Sequence, residues 1–388
     1  MKRLPTWLEI NLDILDQNLE RIQQHVGRDV ATLLTVKADA YGHGAVQVAR
    51  AAASRARMFG VATVDEGTEL REAGIKNEIL ILSPILESEI PAVARHQLAI
   101  TISSSDMALA VSRDAPGAVV DAHVEVDTGM GRTGVSETEA FEEIQRVAAA
   151  PGVRLRGLYT HFPVSDSDAE FTRGQIRRFL ALIDRLRASG IDPGLVHSAN
   201  TAAIDAIAES RMTMIRPGLL AYGLHPVAGH TGVNVTPIMS WKSRIARARR
   251  FPAGSTISYA RSFVTSRDSL IGVVPVGYGH GYPFHLSGRG QVLVGGMRVP
   301  IVGRVTMDMT MVDLTDVPQP PKPGDEVVLV GTQGGETITF HDLAAWADTI
   351  CYEVMCGISK RVPRTYFRRG KVETFKTLLG VLPNHVAV

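Results

Sequence analysis

Lys37 stands where an apolar run ends. Residues 30–36 form that run, which is long enough for one buried strand and too short for a helix of ordinary length. The loop after it, Ala38-Asp39-Ala40-Tyr41-Gly42-His43-Gly44, is rich in Gly, Asp, Tyr and His, and a helical pattern resumes at Ala45. A lysine so placed has two readings. It is a solvated cation at the end of an element, or an amine held in a cleft, desolvated and nucleophilic enough to form a Schiff base. Its company bears on the choice. Later apolar runs lead into Asp127-Thr128-Gly129-Met130-Gly131-Arg132, Tyr159-Thr160-His161-Phe162, His197-Ser198-Ala199-Asn200-Thr201 and Ile215-Arg216-Pro217-Gly218-Leu219. Each alone could be an ordinary structural loop. Together they bring a lysine, two arginines, two histidines and a tyrosine to the same ends of successive strands.

The elements that must position these residues follow a repeat. Candidate strands lie at 30–36, 58–62, 79–83, 98–102, 119–126, 154–160, 194–198 and 212–216, with helical patterns between them, as at 65–73, 137–150 and 171–189. Eight βα repeats in about 220 residues predict an α/β fold, a closed (β/α)8 TIM-type barrel. In such a barrel chemistry sits on the loops after the strands, and the loops after strands seven and eight form the usual phosphate site. Thr201 offers a hydroxyl there, and Gly218-Leu219 offers backbone N–H groups. A Schiff-base lysine and a phosphate cradle in one barrel mouth imply one cofactor, pyridoxal 5'-phosphate (PLP).

Before the barrel, Trp7-Leu8-Glu9-Ile10 alternates like a strand that could pair with a second domain, and Leu12, Leu15, Leu19, Ile22 and Val26 mark an amphipathic helix. Gly-His-Thr-Gly at 229–232 reads as a connection. Beyond it come β-rich runs at 241–249, 270–276, 292–294, 298–302, 309–314 and 326–330, with one helix at about 341–347. The expected division is a barrel over 1–232 and a mostly β domain over 233–388. The last twenty residues carry no readable pattern.

Composition narrows the function classes. The 388 residues suffice for two or three cores. Lys plus Arg number 41 against 40 for Asp plus Glu, a balance that argues against nucleic acid or a membrane surface as partner. The start has no apolar signal region, and no apolar run approaches about 18 residues. Cys351 and Cys356 form neither a CxxC pair nor a disulfide framework, which suits free thiols in a reducing cytoplasm. No metal is expected.

Val36-Lys37-Ala38-Asp39-Ala40-Tyr41-Gly42-His43-Gly44-Ala45 resembles the cofactor-lysine segment of the alanine racemases, PLP enzymes on a barrel fold, and further motifs extend the resemblance to about Arg364. It implies that Lys37 holds PLP, that Tyr41, Thr201, Gly218, Leu219 and Tyr352 bind its phosphate, that Arg216 faces the pyridine nitrogen, and that His161 and Asn200 belong to the cofactor site. Racemisation needs a proton removed from one face of Cα and returned on the other. The resemblance makes Lys37 one base and Tyr259, in Ser258-Tyr259, the other; from composition alone Tyr259 could be a strand aromatic. Val302-Gly303-Arg304-Val305-Thr306-Met307-Asp308 is similar to the family's substrate-side segment, so Arg132 and the backbone at Met307, with Asp308 beside it, would hold the substrate carboxylate. Tyr352 and Tyr259 would restrict the side chain to a small one, alanine first, in an enzyme of D-alanine biosynthesis or breakdown. The family assembles as a head-to-tail homodimer with composite sites.

Two positions depart from the family. His280, in Gly277-Tyr278-Gly279-His280-Gly281, stands where an aspartate is usual. Glu125 stands where a carbamylated lysine often orients the arginine; it either replaces that carbamate or is an exposed strand-end glutamate. Within PLP chemistry the alternatives are a serine or broad-specificity racemase and a barrel-type amino-acid decarboxylase. A non-catalytic PLP carrier resembles the barrel alone.

Overall fold

A computed structural model describes residues 4–229 and 232–383. The chain folds as two compact units. One is built from the N-terminal segment to Ile14, Tyr41–Gly44 and the chain from Pro237 onward; the other comprises Leu15–Ala40 and Ala45–Thr236. Of the connection expected at 229–232, residues 230 and 231 lie outside the described residues.

The second unit is a closed barrel. Strands Ala31–Thr35, Met58–Val61, Glu78–Ile81, Ala99–Ile102, Val120–Asp127, Val153–Tyr159, Leu195–His197 and Met214–Ile215 pair in parallel, each with the next, and the last returns to the first. These are the eight expected strands, shifted by one or two residues at their ends. Both faces of such strands are covered, so they read as continuous apolar runs. Leu33, Met58, Leu80, Ala99 and Met214 form one buried cluster among them. A two-residue strand, Val135–Ser136, adds to the side of the fifth. The helices are capped where the sequence supplies short oxygens. Thr63 accepts from the Glu66 N–H and Asp168 from the Phe171 N–H, opening helices Val64–Glu72 and Ala169–Ala188.

The first unit is mostly β. Its nine-stranded sheet runs Met297–Pro300, Gln291–Val294, Glu326–Gln333, Met239–Arg244, Thr6–Asn11, Arg364–Arg368, Lys371–Thr377, Gly380–Pro383, with Glu336–Ile338 paired to Glu326–Gln333. Thr6–Asn11 is antiparallel to Met239–Arg244 and parallel to Arg364–Arg368. A second sheet holds Arg247–Phe251, Ser269–Val274 and Thr310–Asp313, and a hairpin joins Thr256–Ile257 to Phe263–Val264.

Two expectations are corrected here. The run 241–249 is two strands, because the chain changes sheets at Ile245-Ala246: Ile245 N–H bonds Asp325 O and Ala246 N–H bonds Val273 O. A second helix, Cys351–Cys356, follows Phe340–Ala347. The stretch after 368, where the sequence carries no readable pattern, supplies the strands Lys371–Thr377 and Gly380–Pro383. Among the described residues no helix is long and apolar enough to cross a membrane.

Candidate functional site

In the barrel, Lys37 follows the first strand and is half-buried. Ala38, Asp39, Ala40 and Tyr41 then turn left-handed, with φ of 52°, 52°, 55° and 52°. For residues with a Cβ this costs about 1–2 kcal/mol each, and it persists only where the surroundings over-determine it. Glu66 does much of this. Its two carboxylate oxygens accept from Ala38 N–H and Ala62 N–H, both at 2.7 Å, tying the loops after the first and second strands together. Asp39 accepts from Ala45 N–H at 2.8 Å, which starts the next helix. Glu66 was legible only as the fourth residue of a Thr-x-x-Glu capping signature; its second partner, far away in sequence, was not.

Arg216 follows the eighth strand and is buried. It donates from Nη1 to His197 Nδ1 (3.0 Å) and from Nη2 to Thr160 O (2.9 Å), Ser198 O (3.0 Å) and His161 Nδ1 (3.3 Å). Its guanidinium lies 5.2 Å from the Tyr159 ring centroid, and that ring stacks on His197 at 4.8 Å. Burial lowers the Arg216 pKa to about 10, with Tyr159 and Glu125 opposing and Arg132 reinforcing the shift. Burial also pushes His161 down to about 3, helped by Arg216, Arg132 and Lys37. The mouth of the barrel is thus electropositive, and its imidazoles are neutral.

The phosphate-cradle candidates come together. Thr201 and Leu219 are buried, and the Thr201 hydroxyl accepts from Gly218 N–H at 3.1 Å. Asn200 is engaged structurally: Oδ1 accepts from Ser165 Oγ (2.8 Å) and Ala203 N–H (3.1 Å), while Nδ2 donates to Phe162 O (3.3 Å).

Glu125 is not exposed. It is 2% accessible, and its carboxylate accepts from the Thr133 hydroxyl at 2.5 Å. Arg132, beside Thr133, is exposed, and no hydrogen bond or ion pair joins it to Glu125 among the described residues. The Asp127 carboxylate shapes the loop between them, accepting from the N–H groups of Gly129, Met130 and Gly131 at 2.7–2.8 Å. Thr133 carried no signal in the sequence.

The first unit holds the other candidates. Tyr259 is 70% exposed. It sits between left-handed residues, Ser258 at φ 68° and Ala260 and Arg261 at 56° and 52°. Ser258 Oγ accepts from Arg304 N–H (3.0 Å) and donates to Arg304 O (2.9 Å), which anchors this turn to the Val302–Asp308 segment. Gly303 must be glycine, because a Cβ would overlap Ser258. Met307 is 53% exposed, and Asp308 pairs with Arg361 at 2.8 Å. Met307 O accepts from Gly279 N–H and Thr306 O from Tyr278 N–H, so the two family-like segments are joined backbone to backbone. His280 is turned inward. Its Nδ1 accepts from Gly277 N–H at 3.2 Å, and burial lowers its pKa, with Arg361 adding to the effect. It is a neutral acceptor that holds its own turn, not a charge. Tyr41 packs on Tyr352, with ring centroids 5.9 Å apart, and burial raises its pKa. The loop 41–44 is held by Arg364 Nε to Gly42 O (3.2 Å) and Tyr366 Oη to His43 O (3.0 Å). Among the described residues no cluster of His, Cys, Asp and Glu could hold a metal ion.

The family described as "Alanine racemase, N-terminal domain" matches residues 10–226, and "Alanine racemase, C-terminal domain" matches 238–366. An alanine racemase of Halothermothrix orenii is 41% identical over 367 residues, covering 93% of this chain and 97% of the relative. The solved alanine racemase of Clostridium difficile 630 superposes with a TM-score of 0.91 at 32% identity, covering 96% of this chain and 98% of that one. The Bartonella henselae alanine racemase, solved with covalently bound pyridoxal phosphate, gives 0.84 at 25% identity, covering 94% and 100%.

Proposed function

The chain belongs to the alanine racemase family, and on that premise we propose that it interconverts L-alanine and D-alanine with pyridoxal phosphate as cofactor and Lys37 and Tyr259 as the two bases. The observation that carries this reading is the barrel mouth, in which the hydrogen bonds of buried Arg216 among the described residues go to neutral imidazoles and backbone carbonyls. A buried cation with no carboxylate hydrogen-bonded to it among the described residues suits an anionic, ring-nitrogen-bearing ligand. The hydroxyl of Thr201 and the backbone at Gly218-Leu219 suit its phosphate.

When bound, pyridoxal phosphate supplies the electron-withdrawing ring that acidifies the substrate Cα–H. The residues of this chain do the rest. Lys37 Nζ would hold the cofactor and would move the Cα proton on one face. Tyr259 Oη moves it on the other face. Arg216, protonated at working pH with its pKa near 10, acts only as a donor, and the resemblance implies that Tyr41, Tyr352, Thr201, Gly218 and Leu219 would hold the phosphate. His161 and Asn200 line the site, His161 as a neutral imidazole beside Arg216 and Asn200 as the link between the loops at 162–165 and 200–203. The Arg132 guanidinium takes the substrate carboxylate bidentately with the Met307 backbone, and the Asp308–Arg361 pair braces that segment.

We also propose a homodimer in the cytoplasm with composite sites, its barrel over about 1–232 apart from the first strand, which pairs in the β domain, and its β domain over 233–388. Tyr259, Met307, Met309, Tyr278 and Phe284 are all exposed, apolar side chains that a partner subunit could cover. The absence of a disulfide between Cys351 and Cys356 suits a reducing compartment.

The test supplies purified protein with PLP and follows L-alanine and L-serine by chiral chromatography. D-alanine formation lost in Lys37→Ala and in Tyr259→Phe supports the assignment. Faster turnover of serine makes it a broader racemase, and release of CO2 without D-product makes it a decarboxylase. Mixing the two inactive variants should restore about a quarter of native activity if sites are composite, since half the random dimers then carry one intact site; no recovery refutes them.

A further inference from the structure

The interior of a (β/α)8 barrel is ordinarily filled by aliphatic side chains. Here a line of polar groups runs through it. Arg216 Nη1 donates to His197 Nδ1 at 3.0 Å, and His197 Nε2 meets His123 Nδ1 at 2.9 Å. The direction of every bond in this line is forced. An arginine only donates, so His197 Nδ1 carries no proton and the ring's hydrogen is on Nε2. That hydrogen goes to His123 Nδ1, so the hydrogen of His123 is on its own Nε2, which has no partner among the described residues. One cation therefore sets two tautomers in series.

The line occupies space that the fold has cleared for it. His123 lies on the fifth barrel strand, and Gly157 stands beside it on the sixth. A methyl at Gly157 would overlap the His123 ring and Leu195 O. Both histidines are buried. A buried polar ring with one nitrogen unpaired is costly where an aliphatic chain of similar volume would fit, so packing alone gives no reason for His123.

We propose that His123 is a positioning residue. By accepting from His197 Nε2 it holds the ring angle and reinforces the tautomer that Arg216 sets, with His197 Nδ1 facing Arg216, and so fixes the guanidinium in the barrel mouth. The consequence for turnover rests on the proposed role of Arg216; the effect on His197 does not. Burial keeps both rings neutral at working pH. Of the charged groups that face His123, Arg156, Arg216 and Arg57 favour neutrality and Asp121 opposes it, while His197 feels Arg216 and His123. The relay is therefore static: it orients and does not carry protons.

The experiment compares His123→Leu, His123→Asn and His123→Gln in the holoenzyme. Asparagine can place an acceptor near the Nδ1 position, whereas glutamine reaches toward Nε2. Ring 15N NMR of His197, assigned with His197→Asn, should show an Nε2–H neutral tautomer that is unchanged between pH 5 and 9 in the parent and in H123N. It should be altered in H123L and H123Q. kcat should fall about tenfold in H123L and H123Q with KM little changed, the size typical when a supporting hydrogen bond is removed from a functional group, and return to within about threefold of the parent in H123N. If H123L does not fold, the H123N and H123Q pair still decides. An unaltered His197 signal in H123L or H123Q overturns the proposal whatever the activity. An altered signal with undiminished kcat overturns the link to Arg216. A parent that turns over no alanine refutes the proposed function, while the NMR arm still judges His123.

Discussion

Acidification from pH 7 to pH 5 should weaken the barrel far more than ordinary surface titration would. His123 and His161 both have pKa values depressed to about 3, chiefly by burial, against about 6.5 in the unfolded chain. Above about pH 6.5 neither state takes up a proton at these rings, and their neutral form costs nothing extra. As pH falls from about 6.5 toward 3 the unfolded chain binds protons that the folded barrel cannot, so stability falls with pH throughout that window. At pH 5 each ring contributes about 2 kcal/mol of loss, about 4 kcal/mol for the pair, and His197, whose pKa burial also depresses, adds in the same direction. Ordinary carboxylates titrate nearer 4 and contribute little above pH 5. The assay is hydrogen exchange of buried barrel-strand amides, those of Val124, Leu158 and Val196. The expected loss is at least about a thousandfold in protection. His123→Asn removes one of the rings and should recover about 2 kcal/mol of the difference between the two pH values. The same loss in H123N as in the parent would refute the reasoning.

Further outcomes follow from single contacts. Ala38 is exposed at φ 52°, so Ala38→Gly should raise stability by about 0.5 kcal/mol, the left-handed cost less the entropy of glycine; a lower denaturation midpoint would contradict this. Arg364 is buried and donates to the carbonyls of Gly42, Ser359, Val362 and Ile358, so Arg364→Lys should cost about 3 kcal/mol, read as a fall in Tm. Thr133→Val leaves the buried Glu125 carboxylate without its donor. It should cost about 2 kcal/mol and raise substrate KM several-fold by loosening the Arg132 loop, with kcat kept.

How far the residues reveal the fold depends on what covers each strand. The eight barrel strands are legible because both of their faces are buried. Strand Lys371–Thr377 is not, because Lys371 and Glu373 are exposed and only Phe375 is fully buried. The break at Ile245-Ala246 is hidden because the alternation continues while the chain changes sheets. In the site, Lys37, Arg216, Thr201 and Gly218 can be placed at strand ends by counting. The left-handed turn cannot, since nothing in Ala38 or Ala40 favours positive φ; contacts from Glu66 and Asp39 impose it. The pairing of His123 with His197 is also illegible, because the two lie far apart in the chain and meet only when the barrel closes. Tyr259 is singled out only by the resemblance, since composition reads it as a strand aromatic.

The measurement that bears most directly on two-base racemisation is Cα exchange in deuterated water, run from each alanine enantiomer in turn and read by proton NMR with chiral separation. The account predicts that the first product molecules carry solvent deuterium at Cα while recovered substrate is still protiated, because the proton removed by one base is not the one returned by the other. It predicts that Tyr259→Phe exchanges only one enantiomer, with retention. Product that keeps the substrate's own proton, or equal exchange of both enantiomers in Tyr259→Phe, would contradict it.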